Sequence, residues 1–174
     1  MAKKKSSKKS NMGLILSIVI LVLGVAAFCM AFLTCVKYTA GDTAAEFTGF
    51  QTMFGHMEKG EITGIETHYL AFSFMALLTF AMPLVGAVLS LVENKIVRFV
   101  GAGLMIAGAV LLFLLPSFAV LASTDGLSVA DATATAVATT ALKEATAGLG
   151  IGAILGGVFA GLGGLVGLYN TVRK

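Results

Sequence analysis

Charge is what this sequence has least of. Asp, Glu, Lys and Arg make up 12% of its 174 residues and apolar residues 57%, against about 25% and about 45–50% in soluble globular domains. That composition excludes an ordinary water-soluble domain. Four stretches, 13–36, 69–92, 99–123 and 148–170, hold no Asp, Glu, His, Lys or Arg at all. Proton and ion carriers keep Asp, Glu, His, Lys or Arg inside the membrane for function, so their absence here argues against a proton pump, an intramembrane metalloprotease and an aspartyl protease. A nucleophilic-serine motif, a phosphate-binding loop and a dinucleotide fingerprint are also missing. No catalytic residue, cofactor or metal is therefore assigned, and the chain is read as a non-enzyme. There is no Asn-x-Ser/Thr sequon, which together with short loops fits a bacterial cytoplasmic membrane. The only cysteines, Cys29 and Cys35, fall in the first apolar stretch. On one helix they stand about 9 Å apart along the axis, too far to bond, and they read as small apolar core residues.

What is present is length. Each charge-free stretch exceeds the roughly 20 apolar residues that carry a helix across about 30 Å of hydrocarbon. The expected fold is an all-α integral membrane protein, a four-helix bundle with helices over about 13–36, 69–92, 99–123 and 148–170 and two outer loops. Residues 1–12 form a basic, disordered cytoplasmic tail, 13–170 a single membrane domain, and 171–174 a cytoplasmic end. If the helices alternate, nine basic residues (Lys3, Lys4, Lys5, Lys8, Lys9, Lys95, Arg98, Arg173, Lys174) share one side with a single acid, Glu93. The other side holds three lysines and eight acids. The positive-inside rule then makes both termini cytoplasmic. Net charge of +3 thus reports orientation and not affinity for nucleic acid. Pro83 is expected to kink the second helix and Pro116 to bend the outer part of the third.

Two segments carry a pattern. In the fourth helix Gly148, Gly152, Gly156, Ala160 and Gly164 recur every four residues, with Ala153, Gly157 and Gly161 beside them. Such a strip lets another helix approach to backbone contact, either within the bundle or in a homo-oligomer. In the first outer loop, Phe47, Phe50, Phe54 and Met57 fall within about an 80° arc of a helix, with Thr48, Thr52 and His56 turned away. These four residues are the candidate outward recognition surface, on a short amphipathic helix that Gly49 and Gly55 weaken by about 1 kcal/mol each. In the second outer loop, Ser128 with Asp131 resembles a capping box, so a helix is expected to start there and lead into the fourth span. His56 and His68 sit among Glu58, Glu61 and Glu66, but their spacings match no recognised metal-ligand pair, and both read as solvated or interfacial.

The layout resembles that of claudins and tetraspanins: four helices, cytoplasmic ends and a larger first outer loop. Their hallmark outer-loop Trp and Cys residues have no counterpart here, so only the layout carries over. The Gly-x-Gly-x-Gly run at 148–152 superficially resembles ring subunits of rotary ATPases, whose membrane-embedded carboxylate this chain lacks. The expected function is that of an accessory or scaffold subunit acting through helix packing and outer-loop contacts. The partners would be the lipid bilayer and a membrane protein or further copies of the chain. The alternatives are a transporter or pore component built by oligomerisation, and a sensor of an external ligand.

Overall fold

The computed structural model describes residues 3–173. Met1, Ala2 and Lys174, which belong to the two expected cytoplasmic ends, lie outside the described residues. The chain is mostly helical and also carries five short strands, so the expected all-α fold is corrected: segments read as loops form sheets. In order, the elements are α1 (Lys3–Cys29), β1 (Thr34–Ala40), β2 (Thr43–Thr48), α2 (Gly49–Phe54), β3 (His56–Lys59), β4 (Glu66–Leu70), α3 (Phe74–Leu89), α4 (Lys95–Phe113), α5 (Val129–Glu144), β5 (Thr146–Leu149) and α6 (Ile151–Val172). Short 3-10 turns follow α1 at Met30–Phe32 and α4 at Leu115–Phe118. Among the described residues, three helical segments are long and apolar enough to cross a membrane: Met12–Phe32, Lys95–Phe113 and Ile151–Val172. The fourth, α3, is apolar but has 16 residues, a length of about 24 Å.

The expected spans run past the observed helices because a charge-free stretch shows where a segment is apolar, not where its backbone stops being helical. Thr34–Val36 and Tyr69 are strand, not helix, and Cys35 therefore sits on β1 and not beside Cys29. Pro116 falls in the 3-10 turn after α4, so it follows that helix instead of bending it. At the other end, α1 starts at Lys3 where the sequence reading expects a disordered tail. Lysine is a good helix former, and an apolar helix already nucleated downstream extends through it at little cost.

The chain divides into two compact units, one of residues 1–29, 79–112 and 155–174, the other of 30–78 and 113–154. In the first, Ile20, Ala87 and Met105 form a buried centre flanked by Leu21 and Val166. Small residues set the helix spacing. A methyl added to Gly86 would lie 2.5 Å from the Gly101 carbonyl oxygen, and one on Gly101 would lie 2.7 Å from that of Gly86. Pro83, tolerated within α3, has its ring where a methyl on Gly108 would come within 2.6 Å. Buried polar ties join the helices: Asn170 Nδ2 donates to Ser17 Oγ at 3.3 Å, and Ser17 Oγ to the Ser90 carbonyl at 3.2 Å. Arg98 folds back so that its Nε donates to the Val92 carbonyl at 2.6 Å, closing the short connection from α3 to α4.

The second unit holds a three-stranded antiparallel sheet, order β2-β1-β5, and a two-stranded antiparallel sheet, β3-β4. Val36 and Tyr38 alternate inward along β1, while Cys35 is the extra residue of a bulge in the β1–β2 register. Gly41, at φ 58°, lies in the turn between β1 and β2. β5 pairs with β1 from Thr39↔Thr146 to Val36↔Leu149. It intervenes between α5 and α6, so α5 does not lead directly into the last helix. α5 is N-capped by Ser128, whose side chain accepts from Asp131 N. It closes the edge of β4: Asp131 Oδ1 accepts from Glu66 N at 2.8 Å, and Thr135 Oγ1 from His68 N at 3.1 Å. Without these acceptors the strand would carry unpaired amides.

Candidate functional site

Thr48, Gln51 and Gly55 fix the local geometry of the candidate recognition segment. Thr48 Oγ1 accepts from Gln51 N at 3.2 Å and Gln51 Oε1 accepts from Thr48 N at 2.8 Å, a full capping box. Six residues later the helix stops at Gly55, whose φ of 91° suits only glycine and whose added methyl would lie 2.8 Å from the Leu70 carbonyl oxygen. Gly55 is thus a terminator, and the expected helix over the whole segment shrinks to Gly49–Phe54.

The four candidate residues consequently separate. Phe47 lies on β2, only 4% exposed, with its ring packed against Tyr38, His56 and Tyr69. Phe50 and Phe54 share α2 with their rings stacked at 6.2 Å, and Phe54 is 59% exposed. Met57 is exposed on β3. Of the residues read as turned away, Thr52 is 1% exposed, its hydroxyl donating to the Thr48 carbonyl. The aromatic surface instead runs beyond the segment. Phe32 meets Phe50 at 4.5 Å, and Phe54 meets Phe72 at 6.4 Å. Neither Phe32 nor Phe72 was marked by helical periodicity, because they join the surface through the fold.

Beneath this surface is a polar relay. The carbonyl of the Gln51 side chain is held by Thr48 N, so its Nε2 faces His56 Nδ1 at 3.1 Å and donates. Nδ1 must then accept, which places the proton on Nε2, 3.3 Å from Glu58 Oε1. The His56 ring stacks on Tyr69 at 5.8 Å, and Tyr69 OH donates to Glu58 Oε2 at 3.4 Å. Burial, then the Glu58 charge, raises the Tyr69 phenol above its usual value, so the phenol stays protonated and a donor. His56 is oriented from three sides rather than solvated, and a cavity of about 380 Å³ opens beside it between Phe54, Met57, His68 and Phe72. His68 is not part of the relay; its backbone joins α5. Among the described residues no group of three metal-ligating side chains assembles. Burial pushes the Cys35 thiol up to about 12, which keeps it unreactive.

A second depression, a groove of about 840 Å³, runs between β4 and α5 and is lined by Ile65, Tyr69, Val129 and Val137 among others. The small-residue strip is not one continuous helix face. Gly148 lies on β5 opposite Lys37, and Gly152 lies in the first turn of α6, where a methyl would lie 2.6 Å from the Met30 carbonyl oxygen and 2.7 Å from Cys35 Sγ. Further along α6, Gly156 and Ala160 are buried. A methyl on Gly164 would lie 2.5 Å from Ile106 Cγ1 and 3.1 Å from the Ala102 carbonyl oxygen. Outside the four-residue repeat, a methyl on Gly163 would lie 2.3 Å from Met105 Cε and one on Gly167 3.0 Å from Ala102 Cβ. Comparison with protein families, with curated proteins and with solved structures gives no match to this chain.

Proposed function

We propose that the chain is a non-enzymatic multi-pass membrane protein that crosses the bilayer four times and serves as an accessory or scaffold subunit. The charge distribution supports counting α3 as a crossing. If α3 does not cross, Lys95 and Arg98 fall on the side opposite the amino-terminal lysines; if it does, all nine basic residues of the three clusters share the cytoplasm. The charge-free flanks 71–73 and 90–92 lengthen the uncharged stretch around the short helix toward the roughly 30 Å of hydrocarbon. Both termini are then cytoplasmic, and 34–70 and 119–149 face outward, in keeping with a bacterial cytoplasmic membrane.

The observation that carries the reading is the second unit. About half of the chain, drawn from both connecting segments, is built into a folded body of two sheets and a covering helix. Short connectors would suffice if the chain only had to cross. A folded outward body suits recognition, whether of a larger membrane protein or of further copies. Purified protein reconstituted in liposomes tests this. A subunit leaves the vesicles impermeable by itself and is recovered from native membranes with a stoichiometric partner or as a defined oligomer. Solute flux through the protein alone would overturn the reading in favour of a pore.

A further inference from the structure

α2 buries the polar Thr52 beside Met53 and leaves the aromatic Phe54 outside. A helix on a water-facing surface turns Thr and Gln outward and Phe inward. In α2, Thr52 is buried at 1% exposure, Gln51 is held inward by Thr48 and His56, and Phe54 is 59% exposed. The segment from Phe47 to Met57 contains no Asp, Glu, Lys or Arg.

The surface also has definite ends. Phe32, 67% exposed, is the last residue of the apolar segment Met12–Phe32, and it touches Phe50. Phe54 leads to Phe72, and Phe74, the first residue of α3, is exposed as well. A row of rings, all exposed except the half-buried Phe50, thus begins where one apolar helix ends, crosses α2, and finishes where the next apolar helix begins. We propose that α2 is seated in the membrane surface, with Phe50 and Phe54 inserted at the boundary between headgroups and acyl chains of the outer leaflet. The inference rests on the membrane-spanning reading and adds what covers this face. Lipid fits because the row is continuous with surfaces that already face acyl chains, because aromatic rings favour that depth, and because an apolar helix face lying flat there is removed from water. With α2 pinned from below, His56 and Tyr69 are held just above the lipid.

The absence of Trp supplies the test. Single reporters are introduced as Phe54→Trp, Phe50→Trp, Val22→Trp at the middle of Met12–Phe32, and Ile62→Trp at the fully exposed tip between β3 and β4. Each variant is reconstituted in phosphatidylcholine vesicles whose acyl chains are brominated either near the glycerol or deep in the bilayer. Phe54→Trp and Phe50→Trp lose most of their emission to the shallow bromines and little to the deep ones. Val22→Trp responds to the deep bromines, and Ile62→Trp only to iodide in the water. If Val22→Trp is quenched as stated but both α2 reporters answer to iodide alone, α2 faces water and the inference is wrong. If they answer to neither quencher, protein covers the face, and the inference is again wrong. No bromine quenching of Val22→Trp would overturn the membrane reading itself.

Discussion

Replacing Gly86 by Ala adds one methyl group inside a close contact between α3 and α4. The new carbon would lie 2.5 Å from the Gly101 carbonyl oxygen, 2.7 Å from Met105 Cγ and 3.1 Å from Met105 N. Carbon and a carbonyl oxygen ordinarily approach to about 3.3 Å, so the deficit is about 0.8 Å. Two of the three obstructing atoms are backbone and cannot be relieved by a rotamer change. The helices must part, and the contacts along their seam loosen together. Overpacking of this kind costs about 1 to 3 kcal/mol. Gly103→Ala, on α4, is the control: nothing lies within 4 Å of its added methyl. Both substitutions gain the same helix propensity, about 1 kcal/mol, which cancels in the comparison. Gly86→Ala is therefore expected to fall about 1 to 3 kcal/mol below Gly103→Ala in reversible unfolding by increasing SDS in mixed micelles, followed by circular dichroism. Equal stabilities would refute the proposed α3–α4 contact, and a more stable Gly86→Ala would do so more strongly.

Gly156→Leu, at a buried position of α6, should lower thermal stability in detergent well below Val158→Leu, which changes an exposed position; equal melting and assembly would count against the small-residue packing. For acid stability, the Ser128 hydroxyl and then the Glu66 amide hold the Asp131 carboxyl below its ordinary value. Its contribution is complete above the unfolded value of about 3.9 and disappears as pH falls through the lower folded value. Asp131→Asn should flatten that acid limb, and an unchanged acid titration would show that the cap does not couple α5 to β4 energetically. For topology, single cysteines at Ser7, Asn94 and Thr63 in a background lacking Cys29 and Cys35 should be labelled by an impermeant reagent from outside only at Thr63→Cys; labelling of Asn94→Cys with Thr63→Cys spared would invert the arrangement.

Hydropathy makes the long apolar helices legible: among the described residues, three helical segments are apolar over 19 to 22 residues. It does not locate their ends. Thr34–Ala40 and Glu66–Leu70 follow or precede apolar segments without a strong break, and their strand character is expressed only when partners arrive. β5, Thr-Ala-Gly-Leu, has almost no strand signal of its own and depends on β1, remote in sequence. Two local signals were readable. Thr48-x-x-Gln51 is a sequence-level capping box, and Gly55 is a stop rather than a weak point in a longer helix. The orientation of His56 was not readable, since it depends on which end of the Gln51 amide the helix cap occupies.

The pairing of β5 with β1, and of α5 with β4, also constrains when this protein can finish folding. Under the proposed topology β1 and β2 can form a hairpin once the first outward segment has crossed the membrane, yet one edge of β1 and one edge of β4 wait for residues 131–149. Those residues emerge only after α3 and α4 have been inserted. During that interval the nascent chain displays two open strand edges, the kind of surface that invites pairing with another chain. Closure by β5 and α5 then marks the moment at which α3 and α4 are in place. A chain that stalls before α5 is translocated is left with both edges open, and quality control that recognises unpaired strands would distinguish it from the completed protein.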